Sequence, residues 1–187
     1  MNDETTGGEQ AVVVVEDERE LAELYAEALR DQYTVETATD GEEALSVIDE
    51  TTDVVILDRR LPKLHGDEVL EEIREQGIDS RVVMVTAVDP DLDIAGLPFE
   101  SYLTKPVGTE ELLETIAEQA DERTYEQQVR RYQQVRAQIE VLREEEPEWV
   151  LEGDERFEEL CATADELRAD IEELFEGHDR LVEPLTE

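Results

Sequence analysis

The feature that most constrains the fold of this chain is a short apolar run that ends on an aspartate. Residues 54–57 read Val-Val-Ile-Leu, with three β-branched side chains in succession. Such a run favours a strand that is buried on both faces, as in a parallel sheet. Asp58 follows directly, and Pro62 and Gly66 then mark a loop. Because ligands bind at the carboxyl ends of the strands in open α/β sheets, Asp58 is the first candidate for chemistry.

The same order, an apolar strand followed by helical spacing, recurs along the first two thirds of the chain. Further strands are predicted at residues 11–15, 33–38, 81–86 and 101–106, with helical patterns after the first three strands of the chain. Asp40 and Glu43 have the spacing of a capping box, and Gly77 is placed to end a helix. Alternating strands and helices predict right-handed crossovers and an α/β fold with a doubly wound, five-stranded parallel sheet.

The helix before the fifth strand is predicted to be short. Residues 89–99 contain Pro90, Gly96 and Pro98, which leave room only for a stunted helix.

The last third of the chain is predicted to be a helical hairpin. Thr109 is placed to cap a helix that no proline or glycine interrupts before Pro147, and residues 147–154 then read as a loop. Apolar residues in three-four spacing predict that the two helices pack antiparallel. They are Tyr132, Val135, Ile139 and Leu142 before the loop, and Phe157, Leu160, Ala164, Leu167, Ile171, Leu174, His178 and Leu181 after it. We therefore predict a disordered tail at 1–10, a first domain at 11–120 and a hairpin at 121–187.

Charge and composition exclude several classes of protein. The formal net charge is −38, and lysine occurs only at positions 63 and 105. A surface this acidic repels itself in dilute buffer but is screened at molar salt, so a salt-adapted protein that unfolds when salt is removed is expected. The same charge argues against direct binding to nucleic acid.

Cys161 is the only cysteine, which excludes an internal disulfide and zinc-ligand spacing. No membrane-span or signal pattern is present, so a cytoplasmic protein without a membrane partner is expected.

Reactive side chains lie at the carboxyl ends of four of the predicted strands. They are Glu16 with Asp17, Asp58, Thr86 and Lys105. Since the carboxyl ends of parallel strands lie at one edge of the sheet, about 4.8 Å apart between neighbours, these groups are expected to meet. Crowded carboxylates repel, and Mg²⁺ is the cation that hard oxygen ligands and a phosphate-binding site prefer. A carboxylate nucleophile beside a lysine and a hydroxyl predicts phosphoryl transfer onto Asp58.

Residues 11–118 resemble the receiver domain of two-component response regulators. The motifs that carry the resemblance are Val15-Glu16-Asp17-Glu18, Leu57-Asp58-x-x-x-Pro62-x-x-x-Gly66, Thr86-Ala87 and Tyr102-x-x-Lys105-Pro106. The resemblance implies a flavodoxin-like fold and a sensor histidine kinase as the phosphoryl donor. It also implies Mg²⁺ held by Glu16, Asp17, Asp58 and the backbone carbonyl of Arg60. Thr86 and Lys105 would grip the phosphoryl group, and Tyr102 would change rotamer on activation.

The chain departs from the receiver pattern at two places. Glu16 stands where the first aspartate is usual, and the interval from Thr86 to Lys105 is short. The trimmed helix in that interval often belongs to the receiver's dimer surface, so the usual activated dimer is in question. The tail resembles the HalX domain of haloarchaeal regulators, and its output partner, including a homodimer, is left open.

The sequence suggests three functions. The leading one is a phosphorylation-dependent signalling switch, with autophosphatase activity at most. A magnesium-dependent phosphohydrolase usually needs a second acid two residues after its nucleophile, and Arg60 occupies that position. A DNA-binding transcriptional regulator acting through the tail is the third, although the acidic second helix and the absence of a helix-turn-helix pattern speak against it.

Overall fold

A five-stranded sheet forms the centre of the first of two compact units, residues 1–120 and 121–187. The computed structural model describes residues 10–88, 94 and 96–177. All the strand pairs are parallel, in the order β2-β1-β3-β4-β5. The strands are β1 (Ala11–Val15), β2 (Thr34–Ala38), β3 (Val54–Leu57), β4 (Arg81–Thr86) and β5 (Ser101–Thr104). The predicted doubly wound parallel sheet is confirmed, although β5 ends two residues before the predicted Pro106.

Successive side chains of the central strands enter two different cores, because side chains alternate along a strand. The described helices are α1 (Arg19–Leu29), α2 (Gly41–Val47), α3 (Gly66–Glu75), α4 (Thr109–Glu145), α5 (Glu148–Leu151) and α6 (Glu155–Gly177). Val55 and Leu57 of β3 pack under α2 and α3, whereas Val54 and Ile56 pack under α1 and the start of α4. Burial on both faces explains why β3 is an unbroken apolar run.

The helix ends lie close to where they were predicted, but two of the predicted capping interactions differ in the structure. The Asp40 carboxylate accepts from the Glu43 backbone N–H at 2.9 Å, but the Glu43 carboxylate bonds the backbone N–H of Thr39 rather than that of Asp40. Gly77 follows α3 with a φ of 74°, which suits a residue without Cβ. Thr109 was predicted to cap α4 and is instead its first helical residue, since the Leu112 N–H bonds the Gly108 carbonyl.

Arg74 binds the segment that precedes β5. Its guanidinium donates to the carbonyls of Pro98, Ile78 and Ser80 and to both carboxylate oxygens of Glu100. Of the interval predicted as a stunted helix, residues 89–93 and 95 lie outside the described residues. Within the described part of the interval, the N–H groups of Leu97 and Phe99 donate to the carbonyls of Ile94 and Leu97, and Arg74 of α3 binds the Pro98 carbonyl.

The second unit is an antiparallel pair made by the end of α4 and α6. Val135, Ala164 and Leu167 form its buried core, and three partly buried residues pack against them, namely Tyr132, Ile139 and Leu160. Arg143 lies over the ring of Phe157, 5.9 Å from its centroid. The predicted helical hairpin is thus present.

Three details of the predicted hairpin change. Leu142 was predicted in the seam but is 36% exposed, because the apolar cluster that joins the two helices extends only as far as Ile139. The predicted loop contains the short helix α5. His178 and Leu181 lie outside the described residues, as do residues 1–9 of the predicted tail. No described helix is both long enough and apolar enough to span a bilayer.

Candidate functional site

The sheet register brings the reactive residues to one edge. Val15 pairs with Leu57, so Glu16 and Asp58 both follow directly at the carboxyl ends of neighbouring strands. The Asp58 N–H donates to the Val15 carbonyl at 3.0 Å, and the Lys105 N–H donates to the Thr86 carbonyl at 2.8 Å. Asp58 and Lys105 are therefore each fixed to a neighbouring strand by a backbone hydrogen bond.

Three carboxylates form the acidic part of this edge. Glu16 and Asp58 are buried, at 3% and 6% exposure, and Asp17 is exposed. One oxygen from each of the three lies within 4.8 Å of the others. Hard oxygen donors that sit close together and reach solvent on one side suit Mg²⁺, which keeps part of its water shell. The donor set therefore fits the predicted cation.

Lys105 joins the two buried carboxylates. Its ammonium donates to Asp58 Oδ2 at 2.6 Å and makes a short contact with Glu16 Oε2. Burial acts to lower the pKa of Lys105, but the hydrogen bonds to the two carboxylates outweigh it and raise the pKa above 10.5. Burial raises the pKa of Glu16 above 4.5, against the opposing effect of the Lys105 hydrogen bond. The lysine is thus a fixed cation beside the candidate nucleophile.

The loop after β3 orients Asp58. Its Oδ1 accepts from the Arg60 N–H at 3.0 Å, so each of its two oxygens has a donor. Gly66 packs directly under this turn, because a Cβ at residue 66 would lie 2.3 Å from the Asp58 carbonyl oxygen. The Gly66 N–H also donates to the Arg59 carbonyl. Arg59 is held in turn by Asp67, with its Nε at 3.1 and 3.0 Å from the two carboxylate oxygens.

Thr86 and Tyr102 meet at the backbone of one residue, Val88. The Val88 N–H donates to the Thr86 hydroxyl oxygen at 3.3 Å, and the Tyr102 hydroxyl donates to the Val88 carbonyl at 2.6 Å. Thr86 is fully buried, while Tyr102 is half-buried and its ring tilts against Phe99, with centroids 5.7 Å apart. Residues 86–88 therefore connect the strand end to the aromatic side chain.

Sequence reasoning did not identify three of these features. The Val88 backbone carries no side-chain signal, so the sequence could not show that it links Thr86 to Tyr102. Arg59 and Asp67 are eight residues apart in the sequence, and this spacing alone does not indicate that they form an ion pair. Gly66 was predicted to lie in a loop, but its close approach to Asp58 depends on tertiary packing.

The Lys105–Pro106 peptide bond, which follows the strand-end lysine, is cis.

Family comparisons match both units of the chain. The response regulator receiver domain family matches residues 12–117, and the HalX domain family matches residues 121–183.

Curated relatives match part of the chain. A Haloferax volcanii protein named "Putative transcriptional regulator" is 50% identical over 130 residues, which cover 69% of this chain and 22% of the relative. The alkaline phosphatase synthesis transcriptional regulatory protein PhoP of Bacillus subtilis is 40% identical, over 54% of this chain and 44% of that protein. The chain therefore spans less than half the length of either relative.

Solved receiver structures share the fold of the first unit. The CheY-like response regulator receiver domain protein of Methanospirillum hungatei superposes with a TM-score of 0.59 at 26% identity, covering 63% of this chain and 98% of that chain. A signal receiver domain from Vibrio parahaemolyticus gives a TM-score of 0.60 at 28% identity, covering 65% of this chain and 97% of that one.

Proposed function

This chain belongs to the response regulator family, with a receiver domain followed by a HalX domain, and we propose that it is a phosphoacceptor switch of a two-component phosphorelay. Family membership makes it a signalling protein. The finer assignments rest on one observation. Asp58 is a buried carboxylate at a strand end, held by Lys105 and grouped with two further acids.

The proposed reaction is transfer of a phosphoryl group from a phosphohistidine of a sensor kinase. A carboxylate oxygen of Asp58 attacks phosphorus, a P–O bond forms and the P–N bond breaks. The electron pair of that bond returns to the imidazole nitrogen of the kinase, which takes up a proton. Positioning and charge neutralisation carry most of such a transfer. Because the kinase draws its phosphoryl group from ATP, this role places the chain in the cytoplasm.

Each residue of the site has a role in this proposal. Lys105 shifts a hydrogen bond from Asp58 to an oxygen of the incoming group, and the Thr86 hydroxyl donates to another. Glu16, Asp17, Asp58 and the Arg60 carbonyl would hold Mg²⁺. When bound, Mg²⁺ supplies positive charge that offsets the carboxylates and the phosphoryl oxygens.

The switch is proposed to run through Val88. If the Thr86 hydroxyl turns toward the phosphoryl group, it gives up its bond from the Val88 N–H, and the bond from Tyr102 to the Val88 carbonyl must respond. β5 carries Tyr102 and leads into α4, which continues without a break from Thr109 to Glu145. A shift at β5 therefore has a continuous helix along which to reach the HalX domain, the proposed output element.

Phosphorylation with a matched control tests the acceptor. Purified chain in molar KCl is incubated with acetyl phosphate and MgCl₂, and phosphoprotein is separated on a phosphate-affinity gel. We expect Asp58→Asn to abolish the shifted band and Asp31→Asn, which alters an exposed aspartate after α1, to leave it unchanged. Equal phosphorylation of both variants would refute the assignment.

Hydrogen exchange tests the output route. Protection of residues 102–145 is expected to differ between the phosphorylated and unmodified chain, because these residues contain Tyr102 and α4. Identical exchange along this stretch would count against the route.

Transcriptional regulation is a second candidate for the output. The relatives from Haloferax volcanii and Bacillus subtilis are both named as transcriptional regulators, which supports an output that acts on transcription through the tail. Gel shifts with genomic fragments at molar potassium, with and without phosphorylation, test it. Binding that requires phosphorylation would support this candidate, and no binding in either state would exclude direct contact with DNA.

A further inference from the structure

A groove runs along the hairpin of the second unit between α4 and α6. Its volume is about 650 Å³, and its apolar lining includes Val129, Tyr132, Ala137 and Ile171. The hairpin beneath it has a thin core, with only three buried apolar residues among those described in this unit. Two helices alone bury little surface, and helical proteins commonly complete such a core with further helices.

The charge of this groove differs from that of the chain as a whole. Its charged lining consists of two arginines and two glutamates, namely Arg136, Arg168, Glu140 and Glu172. The whole chain has 54 acidic residues against 16 basic ones. Two copies of such a polyanion repel each other over most of their surfaces, whereas a charge-balanced, partly apolar groove allows close approach.

Two of the four charged groups lack an ion-pair partner among the described residues of their own chain. Arg168 donates to Glu172 at 2.9 Å, whereas the side chains of Arg136 and Glu140 form no ion pair with any residue that the structure describes. They lie four residues apart on α4, so they project from the same side of the helix, about one turn apart. Both are exposed.

We propose that the occupant of this groove is a second copy of the chain, which forms a four-helix bundle with the first. In a twofold interface the same patch serves both partners, so that residue i contacts j and j contacts i. If the two α4 helices cross antiparallel midway between residues 136 and 140, each Arg136 meets Glu140 of the second copy. Both unpaired charges are then neutralised, and the apolar lining of the two grooves is buried. This assembly does not depend on phosphorylation of Asp58.

A charge exchange on the full-length protein tests the interface. Sedimentation velocity in molar KCl, over a dilution series, gives the dissociation constant of the dimer. Arg136→Glu alone and Glu140→Arg alone each place like charges together, and each is expected to weaken dimerisation at least about tenfold. The double variant restores opposite charges and is expected to recover most of the affinity. Contact pairs of this kind are screened by salt far less than distant charges.

The matched control is Arg131→Glu, the same substitution at an exposed arginine of α4 outside the groove. It is expected to change the dissociation constant by less than about twofold, which is within the range for an uncoupled surface charge. Far-ultraviolet circular dichroism checks that each variant keeps its helices. A wild-type chain that remains monomeric throughout the micromolar range would overturn the proposal. So would a double variant as weak as the singles, or a control that weakens the dimer as much as they do.

Disulfide cross-linking tests the same dimer interface by a second method. In a Cys161→Ser background, Ala137→Cys places a thiol in the groove, and Ala162→Cys places one on α6 outside the groove lining. Oxidation is expected to link two copies through residue 137 and not through residue 162. Equal linkage at both positions, or linkage at 162 alone, would contradict the proposal. A groove that binds DNA while the chain stays monomeric would also refute it.

Discussion

Replacing Gly66 by alanine tests how tightly the loop after β3 is packed against the phosphoacceptor. A Cβ at residue 66 would lie 2.3 Å from the Asp58 carbonyl oxygen and 2.8 Å from the Arg59 Cα. Real Cβ atoms essentially never approach closer than 3.0 Å, so the backbone that carries Asp58 must move. Both neighbouring atoms belong to backbone, which cannot rotate away as a flexible side chain can.

The expected cost is about 1–3 kcal/mol of unfolding free energy, the usual range for overpacking a close contact. Alanine has the higher helix propensity, by up to about 1 kcal/mol, but residue 66 is the first of α3, where this gain is smallest. The net effect is therefore destabilising. Since a displacement of about 1 Å at a reacting group can cost on the order of 100-fold in rate, phosphorylation of Asp58 is also expected to slow markedly.

Urea unfolding in molar KCl measures the first effect, and the initial rate of phosphorylation by acetyl phosphate measures the second. Gly108→Ala is the control, because a Cβ at residue 108 meets nothing within 4 Å. It is expected to change the unfolding free energy by less than about 0.5 kcal/mol. If Gly66→Ala matched this control in both stability and rate, the packing argument would be wrong.

Three further predictions concern charged groups. The pKa of Lys105 is raised above 10.5 because its carboxylate hydrogen bonds outweigh burial. Its stabilising contribution is therefore complete below pH 10.5 and is lost as the pH rises through the raised value; Lys105→Gln should flatten that part of the alkaline stability profile measured by urea unfolding. Arg74→Ala removes a guanidinium that serves three carbonyls and a carboxylate, and a loss of about 2–3 kcal/mol is expected in thermal unfolding, whereas an unchanged midpoint would show that the segment is held otherwise. The hydrogen bond from Arg156 lowers the pKa of Asp154 to about 2 from 3.8, so its contribution to α6 is present above pH 3.8 and lost as the pH falls toward 2; carboxyl NMR should show this midpoint in the wild type and a return toward 3.8 in Arg156→Ala.

The sequence predicted the sheet and its reactive edge well because both depend on local patterns. The apolar runs of β1, β3 and β4 have the predicted bounds, since a strand buried on both faces tolerates few polar residues. The side chains that follow these strands were placed at one edge because parallel strands share their direction. The strand that contains Tyr102, β5, was predicted too long, because Lys105 continues the run in sequence while its side chain turns toward Asp58.

Features that depend on tertiary contacts were predicted less well. Leu142 keeps the three-four spacing of the seam, but periodicity does not show where the apolar cluster between α4 and α6 ends. The bond from Tyr102 to Val88 joins a side chain to a backbone carbonyl 14 residues away, and no residue type marks it. The close contact of Gly66 with Asp58 could be predicted only from the path of the whole loop between them.

Locating the phosphoryl group tests the central claim most directly. After phosphorylation by acetyl phosphate and Mg²⁺, borohydride reduces the aspartyl phosphate to homoserine, and peptide mass spectrometry identifies the converted residue. The arrangement of Asp58 with Lys105, Glu16 and Asp17 predicts homoserine at residue 58. Conversion of another aspartate, with residue 58 left intact, would contradict it.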